Sequence, residues 1–272
     1  MSHKSLLLTG GSGFIGHHLI PLLLEKGYNI TATTRDKKNF NKYSWSSDIS
    51  IIETDLLDLH KTTKKNQFEG IIHLAWGNIQ NVNCLSHFEQ SLYQSYFFLK
   101  HMALSGTPKM FVTGTCLEYG KQNGALSTTT DCKPTTAYGF AKHVLHQKLR
   151  HLQSNLNFQL NWGRVFYIYG EGQSGYSIIP QLDKAIDENL RYFNMSYGDQ
   201  LRDYLCVSEV ARQIVNNYES DSNSLTNICS GKPISIKTLV ERHISKRGSN
   251  IKLNLGYYDY NQYEPMAFWG SI

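Results

Sequence analysis

Apolar and polar residues follow one another along the amino-terminal part of the chain in a way that predicts strands separated by helices. An almost continuous apolar run at Lys4–Thr9 is typical of a strand covered on both faces, and Tyr28–Thr34 alternates as a second strand. Helical spacing of apolar residues occurs over 14–26, 84–104 and 136–152. The other strand patterns are Ile49–Glu53, Gly70–Leu74, Lys109–Thr113 and Phe158–Trp162. This alternation predicts an α/β fold with a doubly wound, mostly parallel sheet.

The regular alternation ends near Phe166, after which tyrosine, glycine, proline and asparagine become frequent. We therefore divide the chain into a first domain over 1–166 and a smaller, mixed α/β region over 167–272. Residues 208–219 have the pattern of a helix. We expect the segment 203–222, which contains this helix, to pack back on the sheet of the first domain.

Composition and charge exclude several classes of protein. The 272 residues are 40% hydrophobic and 12% aromatic with a net charge of +5, which is typical of a folded globular chain. No apolar run approaches the roughly 18 residues of a membrane-spanning helix. The basic residues are too dispersed for a nucleic-acid groove. Five scattered cysteines favour reduced thiols, and so a cytoplasmic protein. The histidines show no ligand spacing, so no metal site is predicted.

A glycine-rich loop joins the first predicted strand to the first predicted helix. Its three glycines, Gly10, Gly13 and Gly16, have the spacing G-x-x-G-x-x-G. Such glycines allow a tight turn, close approach of backbone N–H groups to a pyrophosphate, and close packing of helix on strand. The helix N-terminus adds unpaired donors and a positive dipole end. The loop therefore predicts a Rossmann dinucleotide site, whose further members are Ser12, Phe14 and Ile15.

The end of the second predicted strand bears on which dinucleotide is bound. NAD sites usually place an acidic residue about 20 residues beyond the glycines, where it bonds the ribose 2′-hydroxyl. Here that strand ends in Thr34 and is followed by Arg35. A guanidinium suits a 2′-phosphate through a charge-assisted bidentate contact. The sequence therefore favours NADP(H), with NAD(H) as the alternative.

A tyrosine and a lysine share one face of the predicted helix over 136–152. Tyr138 and Lys142 are four residues apart, in the pattern Y-x-x-x-K. An ammonium group beside a phenol favours the phenolate, so we expect the pKa of Tyr138 to be lowered. Tyr138 would then exchange a proton with a substrate near neutral pH.

Together these motifs resemble the extended short-chain dehydrogenase/reductase family, which contains nucleotide-sugar epimerases, dehydratases and reductases. The resemblance covers nearly the whole chain. It rests on the motifs at 9–16, 55–56, 73–75, 113–120, 138–142, 164–170 and 202–204. It implies a nucleotide-sugar substrate held largely by the carboxyl-terminal region.

The resemblance also implies roles for single residues. Asp55 would bond the adenine amine and Leu56 would cover its ring. Thr115 would bond the substrate oxygen, Tyr138 would act as acid and base, and Lys142 would hold the nicotinamide ribose. Four further motif residues are implied in cofactor contacts, namely Leu74, Ala75, Thr113 and Phe166. Arg202 would hold the nucleotide phosphates of the substrate. Tyr167 is also implied in substrate binding, at a position where the family has an asparagine.

The positions after Thr115 bear on the reaction. Sugar dehydratases of this family have Asp-Glu there, whereas this chain has Cys116 and Leu117, and Glu118 comes one place too late. A dehydratase is therefore disfavoured. Because the second strand lacks an acidic residue at its end and a consumed cofactor is usually NADPH, we expect NADPH-dependent reduction of the 4-keto group of a nucleotide-activated 4-keto-6-deoxy sugar. An NAD-dependent nucleotide-sugar 4-epimerase and a non-catalytic dinucleotide-binding regulator stay open as alternatives.

Relatives pair the helices near 84–104 and 136–152 across a dimer axis, so a homodimer is expected.

Overall fold

The computed structural model of the chain describes residues 4–61, 63–65, 67–260 and 262–272. Its strands are β1 (Lys4–Thr9), β2 (Tyr28–Thr34), β3 (Ser50–Glu53), β4 (Gly70–His73), β5 (Lys109–Thr115), β6 (Gly124–Leu126), β7 (Gln159–Val165), β8 (Tyr167–Tyr169), β9 (Tyr192–Asn194), β10 (Leu201–Cys206), β11 (Ser224–Ile228), β12 (Pro233–Ser235), β13 (Lys252–Asn254) and β14 (Phe268–Gly270). Its α-helices are α1 (Gly16–Glu25), α2 (Leu92–Leu104), α3 (Ala137–Gln153), α4 (Ile178–Asp187), α5 (Val207–Glu219) and α6 (Ile236–Arg247).

A seven-stranded parallel sheet forms the centre of the molecule, in the order β11-β7-β5-β4-β1-β2-β3. The strand order reverses between β1 and β4, which is the point where ligands bind in open α/β sheets. The predicted doubly wound α/β fold is thus confirmed. The periodicity did not predict β11, since only Leu225 and Ile228 among its five residues are apolar.

Helices cover both faces of this sheet, and each face has its own apolar core. On one face, Leu19 and Leu23 of α1 pack with Val210 and Ile214 of α5, all fully buried. The helix α5 comes from the segment 203–222 and lies against α1 and β7. On the other face, α2 and α3 contact each other and bury leucines that include Leu99. Burial of these side chains contributes about 1.5–3 kcal/mol each.

Shorter elements lie beyond the carboxyl edge of the central sheet. The strands β8, β10 and β12 form a small sheet, β9 pairs with β13, and β6 pairs with β14. A separate apolar cluster joins α4 and α6 to these strands, with Leu182, Phe193 and Val240 among its buried members. Because β14 packs beside β10, the last residues of the chain lie close to Arg202.

No helix in the described part of the chain combines the length and apolar character needed to cross a membrane.

Candidate active site

The glycine loop is built to bring its backbone close to neighbouring segments. Gly10 has φ +75°, and a Cβ there would lie 2.8 Å from the backbone nitrogen of Ala75. A Cβ at Gly16 would lie 2.6 Å from the Cα of Gly11. The backbone N–H of Gly13 donates to the carbonyl of Gly10 at 3.0 Å. Side chains at Gly10 and Gly16 would therefore force the loop away from the ends of β1 and β4.

The start of α1 fits the pyrophosphate of a dinucleotide. The residue that precedes the helix is Ile15, which offers no capping side chain, and the first turn has no acidic residue. The N–H groups of His17 and His18 donate to the carbonyls of Gly13 and Ile15 at 3.1 Å each, so an anion would meet the backbone N–H groups just before them and the positive end of the helix dipole. Ser12 and Phe14 are half-buried in the same loop, and Gly13 is exposed.

The residues predicted to contact the adenosine half lie at the ends of β2 and β3. Arg35 is exposed directly after β2. The Asp55 carboxylate accepts the backbone N–H of Leu57 at 3.1 Å, and Leu56 is half-buried against the core. These positions are compatible with the predicted roles, which stay predictions.

A buried hydrogen-bond chain supports the ends of β1 and β4. Thr9 Oγ1 lies 2.7 Å from His73 Nδ1, and His73 Nε2 lies 3.1 Å from Ser95 Oγ. Burial, with a further contribution from the Lys142 charge, lowers the pKa of His73 to about 3, so its imidazole is neutral. Leu74 donates its N–H to the carbonyl of Thr9 at 3.1 Å, and the Ala75 N–H donates to Thr9 Oγ1 at 3.4 Å. This chain fixes the backbone on which the predicted contacts of Leu74 and Ala75 depend.

The three residues predicted to act in catalysis come together at the carboxyl edge of the sheet. Thr115 ends β5, and Tyr138 lies in the first turn of α3, where its phenol faces the Thr115 side chain. Lys142 lies one turn further along α3 and donates from Nζ to the carbonyl of Thr113 at 2.7 Å. Thr115, Tyr138 and Lys142 are 6%, 9% and 1% exposed. A hydroxyl, a phenol and an ammonium group thus share one buried corner, which we call the catalytic corner after the predicted role of Thr115, Tyr138 and Lys142.

The predicted lowering of the Tyr138 pKa is wrong. Burial raises the pKa of Tyr138, and the nearby Cys116 and Glu118 raise it further. The Lys142 ammonium does not offset this, because it is directed at the Thr113 carbonyl and the face of Trp76, 4.1 Å from the ring centre. Burial lowers the pKa of Lys142 itself to about 7. The phenol is therefore protonated at neutral pH.

An aromatic wall that the sequence did not predict closes one side of this corner. The indole N–H of Trp76 donates to His87 Nδ1 at 3.0 Å, and His87 Nε2 lies 3.0 Å from the carbonyl of Asn81. The Tyr138 ring packs against both rings, and its backbone N–H donates to the Val82 carbonyl at 2.8 Å. The sequence could have indicated Trp76 through its position directly after the motif residue Ala75.

The predicted substrate residues meet an acidic side chain from the end of the chain. Arg202, which is 1% exposed, donates from Nη2 to Glu264 Oε2 at 3.0 Å. The Tyr167 hydroxyl donates a short hydrogen bond to the other oxygen of Glu264. The structure thus brings Arg202 and Tyr167 together around a carboxylate that the sequence analysis did not single out. Burial and the Glu264 charge raise the pKa of Tyr167 well above its usual value.

Phe166 lies in a different environment from the other predicted cofactor residues. It is 4% exposed in an apolar cluster with Cys116, Cys229 and Phe268, and its N–H donates to the carbonyl of Ile228 at 3.1 Å. Its predicted cofactor contact stays a prediction.

One group of possible metal ligands lies beneath the catalytic corner. Glu118, Cys132 and His143 offer ligand atoms within 4.8 Å of one another. However, Arg164 donates to Glu118 Oε2 at 3.1 Å and to the Cys132 sulfur at 2.8 Å. A cation there would have to compete with this guanidinium, so the cluster is better explained as an ion pair.

Comparison with known proteins gives the same assignment as the motifs. The model of the NAD-dependent epimerase/dehydratase family matches residues 6–229. The chain belongs to this family. Its fold and its dinucleotide loop are therefore those of NAD(P)-dependent nucleotide-sugar enzymes of the extended short-chain dehydrogenase type, as the resemblance implied.

Two curated relatives within the family act on deoxysugar nucleotides according to their names. The chain is 31% identical to a dTDP-6-deoxy-L-talose 4-dehydrogenase (NAD(+)) of Aggregatibacter actinomycetemcomitans, over 98% of this chain and 99% of the relative. It is 25% identical to a dTDP-4-dehydro-6-deoxyglucose reductase of Escherichia coli, over 94% of this chain and 85% of the relative. These family members resemble the chain over almost its full length.

Solved structures from the family show the same fold. A UDP-N-acetylglucosamine 4-epimerase from Methanobrevibacter ruminantium M1, in complex with UDP-N-acetylmuramic acid, superposes with a TM-score of 0.88 at 23% identity, over 100% of this chain and 90% of that one. A UDP-glucuronic acid 4-epimerase from Bacillus cereus, in complex with UDP-glucuronic acid and NAD, gives a TM-score of 0.85 at 22% identity, over 98% and 90%. At such identities the likeness concerns the fold alone.

Proposed function

We propose that the protein reduces the 4-keto group of a nucleotide-activated 4-keto-6-deoxy sugar with NADPH. The observation that carries this proposal is that Thr115, Tyr138 and Lys142 share one buried corner at the edge of the sheet where the glycine loop also lies. The names of the dehydrogenase and reductase relatives support a deoxysugar nucleotide as the substrate class.

The chemistry follows from the protonation state of the corner. A bound nicotinamide dinucleotide would supply the hydride. Tyr138 then donates its proton to the carbonyl oxygen of the sugar, on which negative charge develops, and the Thr115 hydroxyl donates a hydrogen bond to the same oxygen. The raised pKa of Tyr138 keeps the phenol protonated at neutral pH, which suits the reducing direction. Lys142 would hold the nicotinamide ribose.

The preference for NADPH rests on Arg35. This side chain is exposed at the end of β2, where an arginine can pair with a 2′-phosphate. The name of the 31% identical relative specifies NAD(+), which makes NAD(H) the alternative cofactor.

The substrate side of the proposal assigns the nucleotide diphosphate to Arg202, with Tyr167 beside it. Arg202 is a buried cation whose partner Glu264 occupies one edge of its guanidinium. We propose that residues 1–166, together with the helix from 203–222 and the strand β11 of the central sheet, form the dinucleotide-binding domain, and that the rest of 167–272 forms the substrate-binding region.

The test is an NADPH absorbance assay with dTDP-, GDP- and CDP-linked 4-keto-6-deoxy sugars. We expect stoichiometric loss of NADPH with one of them, and a smaller rate with NADH. Interconversion of two sugar nucleotides without net loss of cofactor would instead establish the 4-epimerase, a reaction class named for a 25% identical relative from Bacillus subtilis. Tight NADPH binding without turnover of any sugar would favour the non-catalytic regulator.

We further propose a cytoplasmic homodimer formed by α2 and α3. Leu92, Leu99, Leu145 and Leu149 of these helices are buried in the core of the protein's own chain. The outer surface of the two helices nonetheless exposes Tyr93, Phe97 and Phe140, at 50%, 54% and 47%. A monomer measured by light scattering at micromolar concentration would contradict the dimer.

A further inference from the structure

Glu118 is a carboxylate sealed beneath the catalytic corner. It lies in the single turn that follows β5 and is 0% exposed. Its Oε1 accepts the backbone N–H of Thr115 at 2.9 Å and the indole N–H of Trp162 at 3.0 Å, and its Oε2 accepts Arg164 Nε at 3.1 Å. Each donor comes from the end of β5 or from the neighbouring strand β7. A buried charge satisfied so fully has a fixed position.

Thr115 and Glu118 form a capping box, in which each side chain accepts a backbone N–H near the other residue, and this box also fixes the Thr115 hydroxyl. Thr115 Oγ1 accepts the backbone N–H of Leu117 at 3.3 Å, while Glu118 holds the Thr115 backbone N–H in return. A hydroxyl that accepts on one side keeps its single proton for another direction. Here that direction is the side on which the Tyr138 phenol lies, where the proposed carbonyl oxygen of the sugar would be bound.

Gly114 provides the space that this arrangement needs. A Cβ at Gly114 would collide with the Glu118 carboxylate, and would lie 2.8 Å from Cε2 of Trp162. The glycine between Thr113 and Thr115 therefore lets the carboxylate lie directly under the strand end.

We propose that Glu118, held by Arg164 and Trp162, is a positioning residue that fixes the Thr115 hydroxyl against Tyr138 in the ketoreduction proposed above. It does not touch the reacting atoms, and it acts through the Thr115 backbone. The inference rests on the proposed function, since it assigns Thr115 a part in that reaction.

The Glu118 charge also faces the groups that titrate in the corner. From α3 these are Tyr138 and Lys142, whose pKa values it raises, and His143. Cys116 adjoins it within the turn, and its thiol pKa is raised by burial. Arg164 from β7 carries the opposite charge, and its Nε lies 3.1 Å from Glu118 Oε2.

Two further groups face Glu118 from the sides. Cys132 accepts the second Arg164 nitrogen at 2.8 Å, and the Tyr119 ring lies 4.6 Å from the Arg164 guanidinium carbon. Burial raises the pKa of both the Cys132 thiol and the Tyr119 phenol, so both are neutral near pH 7. Removal of the Glu118 charge is therefore expected to act on Tyr138 and Lys142 rather than on these groups.

The first experiment compares wild type with Glu118→Gln. The amide keeps the shape of the side chain but loses the charge, and its NH₂ group is repelled by one of the present donors. We expect kcat to fall by about tenfold to a hundredfold with KM for the sugar nucleotide nearly unchanged. We also expect the alkaline limb of the pH–rate profile to move to lower pH by about 0.5–1 unit.

A second variant guards against simple unfolding. Glu118→Gln alone leaves Arg164 as a buried charge without its carboxylate, a situation that is strongly destabilising. The double variant Glu118→Gln/Arg164→Met removes both charges and is expected to fold with the same low kcat and the same shift of the profile. Asp203→Asn is the matched control: Asp203 is also fully buried and accepts backbone N–H groups, from Ser230 at 2.7 Å and Gly231 at 2.9 Å. It should lower Tm without moving the pH profile.

The outcomes separate this inference from the proposed function. If wild type reduces no keto sugar, the proposed function fails; hydrogen exchange of the Thr115 amide then still decides whether Glu118 holds the strand end, with about tenfold faster exchange expected in the double variant. If wild type is active and both Glu118 variants keep its kcat and pH profile, the positioning role is overturned. A loss of kcat that Asp203→Asn reproduces, with no shift of the profile, would also overturn it, because it would show a structural effect only.

Discussion

The catalytic corner and the surroundings of Arg202 differ in how their residues are brought together. Lys142 bonds the carbonyl of Thr113, only 29 residues earlier in the chain, across one strand and one helix of a repeating unit. Glu264, by contrast, bonds Tyr167 and Arg202 over separations of 97 and 62 residues. The first arrangement follows from the rule that parallel strands with helical crossovers end at one edge of the sheet. The second depends on where the last segment of the chain folds back.

The two regions also differ in charge. Burial lowers the pKa of Lys142 to about 7, so this amine is only partly protonated at neutral pH. Burial acts in the same direction on Arg202, but Tyr167 and Glu264 outweigh it and raise the pKa of that guanidinium. Lys142 thus changes its protonation state near neutral pH, whereas Arg202 keeps its charge, which is balanced by the Glu264 carboxylate.

Removal of the Tyr138 hydroxyl should have the largest effect on activity. Tyr138→Phe keeps the ring that packs on Trp76 and His87 and deletes the proposed proton donor. We expect kcat to fall by about 10²- to 10⁴-fold with cofactor affinity unchanged. Steady-state kinetics with the keto sugar, and NADPH binding by fluorescence, measure the two quantities.

The control for this variant is Tyr119→Phe. Tyr119 is also fully buried, but its hydroxyl donates to Asn227 Oδ1 at 2.7 Å, and the variant keeps the ring that lies over Arg164. It should cost about 1 kcal/mol of stability and leave kcat within a fewfold of wild type. Equal losses of kcat in the two variants would contradict the assignment of Tyr138 as the acid.

Arg202→Gln should affect binding more than chemistry, and so sharpen the contrast between the two regions. It removes the buried cation and leaves Glu264 without its charged partner. We expect KM for the sugar nucleotide to rise about tenfold to a hundredfold while kcat changes much less. Titration of the nucleotide diphosphate alone by calorimetry checks the same loss without catalysis. A fall in kcat at constant KM would place Arg202 in the chemical step instead.

The sequence was informative wherever a residue belongs to a repeating βαβ unit. The bounds of β2 were predicted as observed, and Thr115, Tyr138 and Lys142 were expected together and lie together. Spacing carries this information, because four residues along a helix share a face and successive parallel strands end at one edge.

The failures have physical reasons that spacing does not contain. The pKa of Tyr138 was predicted to fall because its distance from Lys142 along the helix was considered without burial, and burial dominates. Trp76 and Glu264 were missed because their contacts depend on loops and on the return of the chain end. The strand β11 was missed since its sequence alternates too little to show a period.

Arg35→Ala tests the cofactor side of the comparison, with a smaller expected effect. Arg35 is exposed, so its contact with a 2′-phosphate would be partly screened by water. We expect the ratio of NADPH to NADH affinity to fall about tenfold, with NADH affinity itself unchanged. Lys37→Ala is the matched control, because it removes a nearby exposed cation that is not at the strand end. Unchanged discrimination in Arg35→Ala would leave NADP preference without support from this residue.

The two regions should also differ in how their residues make the stability of the protein depend on pH. Because the folded pKa of Lys142 is about 7 and its usual value is 10.5, the unfolded chain binds more protons between these values. The contribution of Lys142 to unfolding free energy therefore increases as pH rises from about 7 to 10. Lys142→Met should remove this contribution and flatten the slope of Tm against pH in that window. Arg202→Gln should not change the slope, because the Arg202 pKa lies above the window in both states. Equal slopes in wild type and Lys142→Met would contradict the lowered pKa of the buried lysine.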